Sequence, residues 1–153
     1  MEENIDEIDQ RILRVLQIDA ALSVEAVADK VHLSRNACWR RIKQLENAGV
    51  VQRRVAILDG AALGKGQSVF VMVKAQDHSA SWLKGFRQAV SAMPEIIGAF
   101  RMSGDLDYLL RVEVGSVAEY DRFYQRFIER IKAADISASF VMERIKDTTE
   151  LPI

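Results

Sequence analysis

The hydrophobic pattern changes its period once along the chain, at a glycine-bearing segment that spans residues 58–67. Before this segment, apolar residues recur every three or four positions, as they do in amphipathic helices. After it, short apolar runs rich in β-branched residues alternate with helical patterns. The segment, LDGAALGKGQ, holds three of the eight glycines, a composition typical of a hinge. The sequence therefore predicts two small domains within 153 residues.

The first predicted domain, residues 1–54, contains three short helices. Residues 5–18 carry an apolar stripe at helical spacing: Ile5, Ile8, Ile12, Leu13, Val15 and Leu16. Ser23 and Ser34 are candidate N-caps of a second helix, VEAVADKV, and of a third helix that ends at Gly49. The third helix turns Cys38, Ile42 and Leu45 inward. A strand, VVQRRVAIL, is expected to follow and to form a wing. The pattern predicts a winged helix-turn-helix.

Charge is concentrated in one short window although the whole chain is nearly neutral, at −1. From Lys30 to Arg54 the sequence holds seven basic residues and one acidic residue, Glu46. The preceding residues 1–29 are acidic by six charges, and twelve basic residues balance twelve acidic ones after residue 60. A basic patch on the third helix of a helix-turn-helix is typical of contact with a phosphate backbone, and it lies where a recognition helix enters the major groove. A solvated helix face is the alternative interpretation.

The second predicted domain, residues 68–153, follows a strand and hinge linker at residues 55–67. Its apolar patterns read as strand, helix, strand, strand, helix, strand, with the turn between the middle strands at Gly104. This order is that of the ferredoxin-like fold, four antiparallel strands with two helices on one face. The fold class expected for the whole chain is therefore α+β.

Composition excludes several classes of protein. No stretch approaches the ~20 apolar residues of a membrane span, and the acidic N-terminus, MEENIDEIDQ, differs from a signal peptide. The single cysteine, Cys38, rules out an intramolecular disulfide and fits a reducing compartment. We expect a cytoplasmic, nucleoid-associated protein with no membrane partner, cofactor or bound metal.

Four stretches in order along the chain resemble the Lrp/AsnC family of transcription regulators. IDEIDQRILRVLQIDAALSVEAVADKVHLS is similar to the first two helices of that family, and CWRRIKQLENAGVV is similar to its recognition helix and the following strand. MSGDLDYLLRV resembles its effector loop, and IKDTTELPI resembles its closing strand and tail. The resemblance implies binding to double-stranded DNA, an amino acid effector, and homodimers that assemble into tetramers or octamers.

The resemblance also implies a set of DNA-binding residues. Ser34 would cap the recognition helix, whose first amides face a phosphate. Asn36 and Arg40 are assigned to base edges, and Trp39 to the groove-facing side. Phosphates are assigned to Arg35, Lys43, Arg53 and Arg54. Arg41 matches a characteristic arginine of the family, but it could equally brace Glu46 or a helix C-terminus, and Trp39 could instead cover apolar surface between helices.

The expected effector site lies between protomers. Its loop residues are Met102, Ser103, Gly104, Asp105, Asp107 and Tyr108, and its residues on the last strand are Ser137, Ala138 and Ser139. An amino acid needs an anion near its ammonium group, here Asp105 or Asp107, and free amides near its carboxylate, here around Gly104. Three stretches (residues 74–86, 101–114 and 139–153) look closest to a branch that responds to cysteine, with proline and branched-chain amino acids as the next candidates. A plain hairpin turn is the alternative interpretation.

Three other functions compete with this prediction. An enzyme is disfavoured, because the two histidines lie in different domains and no catalytic motif is present. A metal or redox switch at Cys38 is disfavoured, because the apolar stripe predicts a buried thiol and no metal-ligand spacing accompanies it. A ligand-independent architectural DNA-binding protein stays open as the alternative.

Overall fold

The computed structural model of the protein describes residues 5–153, and the acidic residues Glu2 and Glu3 lie outside the described part. The chain forms two compact units. The first unit contains the residues up to Ile57 together with Lys146–Ile153, and the second runs from Leu58 to Ile145. The sequence pattern assigns all of residues 68–153 to the second domain. The structure differs in the last segment, which packs with the first unit.

The first unit contains the three predicted helices: α1 (Glu7–Ile18), α2 (Val24–Val31) and α3 (Arg35–Asn47). Each begins at a side chain that satisfies a free backbone amide. Asp6 and Asp9 form a capping box at α1, in which the Asp6 carboxylate accepts the Asp9 N–H at 2.8 Å. Ser23 accepts the Ala26 N–H at 3.1 Å, and Ser34 accepts the Ala37 N–H at 3.3 Å. Both predicted serine caps are confirmed.

Left-handed residues end the second and third helices. His32 has a φ of 57° at the end of α2, and the Leu33 N–H donates to the Ala28 carbonyl at 2.9 Å. Gly49 has a φ of 75° after α3 and donates to the Glu46 carbonyl at 3.0 Å. These two positions set the tight turn between α2 and α3 and the end of the recognition helix, as predicted.

The core of the first unit is the set of residues that the helical spacing placed inward. Its buried members are Ile12, Leu16, Val27, Ala28, Val31, Cys38, Ile42 and Leu45. Cys38 is fully buried, and burial raises the pKa of its thiol. The thiol is therefore a small apolar core group here, as the inward stripe predicted.

The strand predicted after α3 is wrong for a single chain. Within the described residues, none between Ala48 and Gln67 forms a strand, so no wing accompanies the three helices. A strand is stable only when its backbone groups pair with a neighbour, and the first unit offers no other strand. Arg53 and Arg54 consequently lie on an exposed, irregular segment.

The second unit has the predicted ferredoxin-like fold. In chain order it contains β1 (Gln67–Ala75), α4 (Ala80–Ser91), β2 (Ile96–Arg101), β3 (Tyr108–Val114), α5 (Val117–Arg130) and β4 (Ala133–Phe140). The strands lie in the order β2-β3-β1-β4, and every neighbouring pair is antiparallel. The first and last strands therefore pair in register, with Val71 opposite Ala138.

Alternation along the central strands separates the two faces of the sheet. One face, with Val69, Val71 and Val73 of β1 fully buried, packs against both helices through Phe86, Phe123 and Phe127. The opposite face carries partly exposed apolar side chains, among them Phe70, Met72, Leu109 and Phe100. Both helices of this unit, α4 and α5, pack on the other face, so neither covers this open face.

None of the described helices is both long enough and apolar enough to cross a membrane.

Replacing Phe127 by Ala is expected to destabilise the second unit by about 3–5 kcal/mol, because the fully buried ring leaves a cavity between α5 and the sheet. The neighbouring change Ile128→Ala is the matched control and should cost less than about 1 kcal/mol, since that side chain is 38% exposed. Urea unfolding at fixed protein concentration measures both. Equal losses would contradict the packing described here.

Candidate functional site

The outward face of α3 is basic and open to solvent. Arg35, Asn36, Trp39, Arg40 and Lys43 are exposed, whereas the inward stripe of the same helix is buried. Trp39 is 53% exposed and so does not cover apolar surface between helices. Together with Asn36, Ala37 and Arg40 it lines a shallow groove of about 420 Å³. The structure thus brings the groove-facing residues predicted from the sequence onto one surface.

Ser34 stands at the N-terminus of this surface. Its hydroxyl accepts the Ala37 N–H, which leaves other first-turn amides of α3 without a partner within the helix. Free amides at a helix N-terminus, with the positive end of the helix dipole, favour an anion. Ser34 therefore holds the position that the prediction gave it.

Arg41 has an internal role in the first unit. Its Nη1 atom lies 2.8 Å from an Asp6 carboxylate oxygen and 2.8 Å from an Asp9 carboxylate oxygen. These are the two residues of the α1 capping box, so the guanidinium fastens the start of α1 to the middle of α3. Arg41 therefore braces the fold, as the alternative interpretation expects. Its partners are Asp6 and Asp9, so the prediction of Glu46 as the partner is wrong. The DNA-binding role predicted for Arg41 has this competing explanation.

The bridge accompanies shifted pKa values at Asp6 and Arg41. The hydrogen bond from the Asp9 N–H, followed by the contacts with Arg41, holds the pKa of Asp6 below its usual value. Hydrogen bonds to Asp9 and Asp6 raise the pKa of Arg41. The ionised form of each group is thus favoured by folding.

Glu46 neutralises part of the basic surface. Its carboxylate lies 2.6 Å from Lys43 Nζ and 3.0 Å from Arg54 Nη2. The hydrogen bond from Lys43 is the main cause of a lowered pKa at Glu46. By contrast, Arg35, Arg40 and Arg53 have no ion-pair partner within residues 5–153. Three of the predicted cations are therefore free to meet an external anion, and two are shared with Glu46.

The predicted effector loop connects β2 to β3 in the second unit. The Met102 N–H donates to the Asp107 carbonyl at 2.8 Å, and Gly104 takes a φ of 117° between them. The Asp107 carboxylate accepts the Ala75 N–H at 2.8 Å. Asp107 therefore holds the hairpin against the end of β1. Asp105 is exposed and has no hydrogen-bond or ion-pair partner among the described residues, which makes it the freer of the two candidate acids.

One chain does not bring the whole predicted effector set together. The loop follows β2, at one edge of the sheet, whereas Ser137, Ala138 and Ser139 lie on β4, at the opposite edge. The loop ends at Tyr108 on β3, and β1 lies between β3 and β4, which separates these two strands by roughly 10 Å at the usual strand spacing. The loop residues form one group, and the β4 residues form another.

A groove beside the loop joins Phe86, Arg87 and Arg101, which the sequence pattern did not single out as site residues, to the predicted residue Tyr108. It has a volume of about 390 Å³ and lies between α4 and β2. Phe86 and Tyr108, with ring centroids 4.3 Å apart, form an aromatic part of its lining. Two exposed arginines, Arg87 and Arg101, also line it, and neither has an ion-pair partner within the described chain. Pairing of a helix with an edge strand, which brings these arginines together, is not visible in sequence spacing.

Comparison with known proteins finds a family match for each of the two units. Residues 5–46 match the model of the AsnC-type helix-turn-helix domain, and residues 68–151 match that of the Lrp/AsnC ligand binding domain. The chain belongs to the Lrp/AsnC family of transcription regulators. The resemblance of the four sequence stretches is thereby confirmed.

Relatives in the family are similar over nearly their full length. The Glutamate uptake regulatory protein of Zymomonas mobilis is 45% identical over 97% of this chain and 91% of its own. The DNA-binding transcriptional activator DecR of Escherichia coli is 43% identical over 97% and 99%. These relatives are named as regulators rather than as enzymes.

Solved structures show the same fold. An AsnC family transcriptional regulator from Agrobacterium tumefaciens is 50% identical, with a TM-score of 0.93 over 96% of each chain. A transcriptional regulator from Neisseria meningitidis, solved as a complex with L-methionine, is 31% identical, with a TM-score of 0.93 over 97% of each chain.

Arg41→Ala is expected to lower the Tm of the first unit at pH 7, because it removes the bridge between α1 and α3. The pKa of Asp6 lies below its ordinary value of 3.8, so the ionised carboxylate stabilises the fold above that pH. This contribution is lost as the pH falls through the lower, folded-state pKa. The difference in Tm between wild type and variant should therefore narrow below about pH 4.

Arg40→Ala serves as the control for this titration, since Arg40 is exposed on the same helix and has no ion pair within residues 5–153. Thermal unfolding followed by circular dichroism between pH 3 and pH 7 measures both variants. A pH-independent difference for Arg41→Ala would show that the bridge does not stabilise the fold through its charges.

Proposed function

We propose that this protein is a sequence-specific, DNA-binding transcriptional regulator that responds to a small amino acid effector. The observation that carries the DNA-binding part is the exposed, basic face of α3, in which Arg35 and Arg40 have no ion pair within the described chain. A protein of this kind works in the cytoplasm, in association with the nucleoid.

The contacts with DNA follow from position on the helix. Asn36 and Arg40 read base edges from the first turns of α3, where a recognition helix meets the major groove. Arg35, Lys43, Arg53 and Arg54 contact phosphates, and the free amides beside Ser34 contact another phosphate. Trp39 packs against the groove wall. Arg41 stays with Asp6 and Asp9, so its part in binding is to hold α3 in place.

Assembly of two copies supplies the second recognition helix. Two copies present their recognition helices to half-sites about one helical turn apart. The open face of the sheet, with Phe70, Met72, Leu109 and Phe100, is the surface that we assign to the homodimer, since partly exposed apolar groups of this kind favour burial against a second copy. Further assembly gives tetramers or octamers.

The effector site is assigned to the loop of Met102–Tyr108, completed by Ser137, Ala138 and Ser139 of a second chain. Asp105 meets the ammonium group, because Asp107 is already engaged with the Ala75 N–H. Amides around Gly104 meet the carboxylate, and the groove with Tyr108 lies beside the loop. The effector shifts DNA affinity only by the difference between its affinities for the two states of the protein.

Cysteine is the first candidate effector, with proline and the branched-chain amino acids next. The resemblance of the loop and the last strand to a cysteine-responsive branch supports this order. The L-methionine complex of the Neisseria meningitidis relative supports an amino acid, and it adds a second sulfur-containing candidate.

Loss of a phosphate contact should change the salt dependence of DNA affinity, whereas loss of a base contact should change its sequence preference. Arg35→Ala is expected to reduce the slope of log affinity against log salt concentration by about one, for all sequences alike. Asn36→Ala should instead lower the affinity for the preferred sequence by about 1–3 kcal/mol and narrow the gap to mismatched duplexes.

Fluorescence anisotropy on a duplex selected from a randomised pool by the wild-type protein measures these effects at several salt concentrations. Arg130→Ala, an exposed arginine of α5 in the other unit, is the control and should leave both quantities unchanged. If Arg35→Ala and Asn36→Ala both bind as wild type does, α3 is not the recognition helix.

A thermal-shift screen of the twenty amino acids, with cysteine kept reduced, tests the effector proposal. A ligand that binds the native state should raise Tm with concentration. The shift should disappear in Asp105→Asn and persist in Asp121→Asn, an exposed acid of α5 in the same unit. No shift with any amino acid would favour the ligand-independent architectural protein.

A further inference from the structure

The C-terminal segment forms a specific contact with α1 of the DNA-binding unit. The Gln17 side chain pairs with the backbone of Leu151 in both directions: its amide donates to the Leu151 carbonyl at 3.0 Å, and its oxygen accepts the Leu151 N–H at 2.9 Å. A neighbouring β-strand would pair with a backbone through two such hydrogen bonds. Here the Gln17 side chain supplies both. It fixes both the position and the direction of the segment.

A second side chain on the same face of α1 extends the contact. Arg14 lies three residues before Gln17, so both point from one side of the helix. Its Nε–H donates to the Ile153 carbonyl at 2.6 Å. Within the segment, the Ile153 N–H donates to the Leu151 carbonyl at 3.0 Å, and the Thr148 hydroxyl accepts the Glu150 N–H at 3.1 Å. The segment therefore docks in a defined, turned conformation.

The other end of the same stretch is anchored to the sheet of the second unit. Arg144 donates to the Ser68 hydroxyl on β1 and to the Glu113 carboxylate on β3, at 3.2 Å from the nearer oxygen. Ser68 is buried and also donates to Glu113. The chain thus leaves β4, is fastened to the sheet at Arg144, and is fastened to α1 at Leu151.

The docking contact is held by exposed hydrogen bonds rather than by apolar burial, since the Leu151 side chain is 68% exposed. Contacts of this type open at low cost compared with a packed core. A segment that docks specifically and opens easily has two states, docked and released, which is the requirement for a coupling element.

We propose that the Arg14–Gln17 face of α1 is a docking site for the segment Glu150–Ile153 of the same chain, and that docking couples the ligand-binding unit to the DNA-binding unit. The chain passes between the units twice, near Ile57 and near Lys146, and the second passage follows β4. The β4 residues Ser137–Ser139 belong to the proposed effector site. Ligand contact there biases Arg144 and the segment beyond it, and so favours one state of the docking contact. This last step rests on the proposed function, whereas the docking itself does not.

Hydrogen–deuterium exchange of the 153-residue protein tests the docking. The C-terminal peptide should exchange slowly in wild type and roughly tenfold faster in Gln17→Ala, because the Leu151 N–H loses its acceptor. Gln88→Ala, an exposed glutamine of α4, should exchange as wild type does. Unchanged exchange of the α3 peptide in Gln17→Ala shows that the unit remains folded.

Two outcomes would overturn the intrachain docking. Equal exchange of the C-terminal peptide in all three proteins would show that Gln17 does not hold the segment. Protection that disappears on dilution would assign the α1 site to the segment of a second copy.

The coupling is tested with DNA and the amino acid that raises Tm most in the screen. In Gln17→Ala, the ratio of DNA affinities with and without that amino acid should approach one, while DNA affinity without it and the thermal shift stay within about twofold of wild type. A wild-type ratio in Gln17→Ala would overturn the coupling. If no amino acid binds, the effector proposal fails and the coupling fails with it, whereas the exchange experiment still decides the docking.

Discussion

Burial of one narrow stripe on α3 determines how the rest of the DNA-binding unit is arranged. Cys38, Ile42 and Leu45 recur at helical spacing and are all buried against α1 and α2. Because side chains on a helix are fixed in angle, burial of these three leaves Arg35, Asn36 and Arg40 no position except the solvent side. The basic face is therefore a consequence of the core. Even Arg41, at the boundary between the two faces, is drawn to the acids of α1 rather than to solvent.

The distribution of charge follows from that geometry. The sequence shows a window of +6, but the structure divides its cations by position. Glu46 lies near the end of α3 and pairs with Lys43 and Arg54, whereas Arg35 and Arg40 have no ion-pair partner among residues 5–153. The unpaired positive charge thus coincides with the positive end of the helix dipole, so both favour an anion at the same end of α3.

Local features were predictable from the sequence, and features that depend on distant parts of the chain were not. Ser23, Ser34 and Gly49 mark helix ends through chemistry within three residues, and the alternation around Val71 identifies a buried strand without reference to its partner. The strand expected at VVQRRVAIL failed because pairing needs a neighbour that one chain does not supply. The two partners of Arg41 lie 35 and 32 residues away in the sequence and the partner of Gln17 lies 134 residues away, and spacing carries no information about such contacts. The hydrogen bond from the Ala75 amide to the Asp107 carboxylate likewise joins residues that are 32 positions apart.

The proposed effector site joins ligand binding to assembly. The loop around Gly104 joins β2 to β3, and β1 lies between it and the serines of β4, so the two groups lie apart within one chain. We therefore propose that a pocket using both takes one group from each of two copies. Such a pocket exists only in the assembled state, so any ligand that fills it stabilises that state by mass action. In this proposal, the ligand would change the spacing of the DNA-binding units across the assembly without direct contact between ligand and DNA.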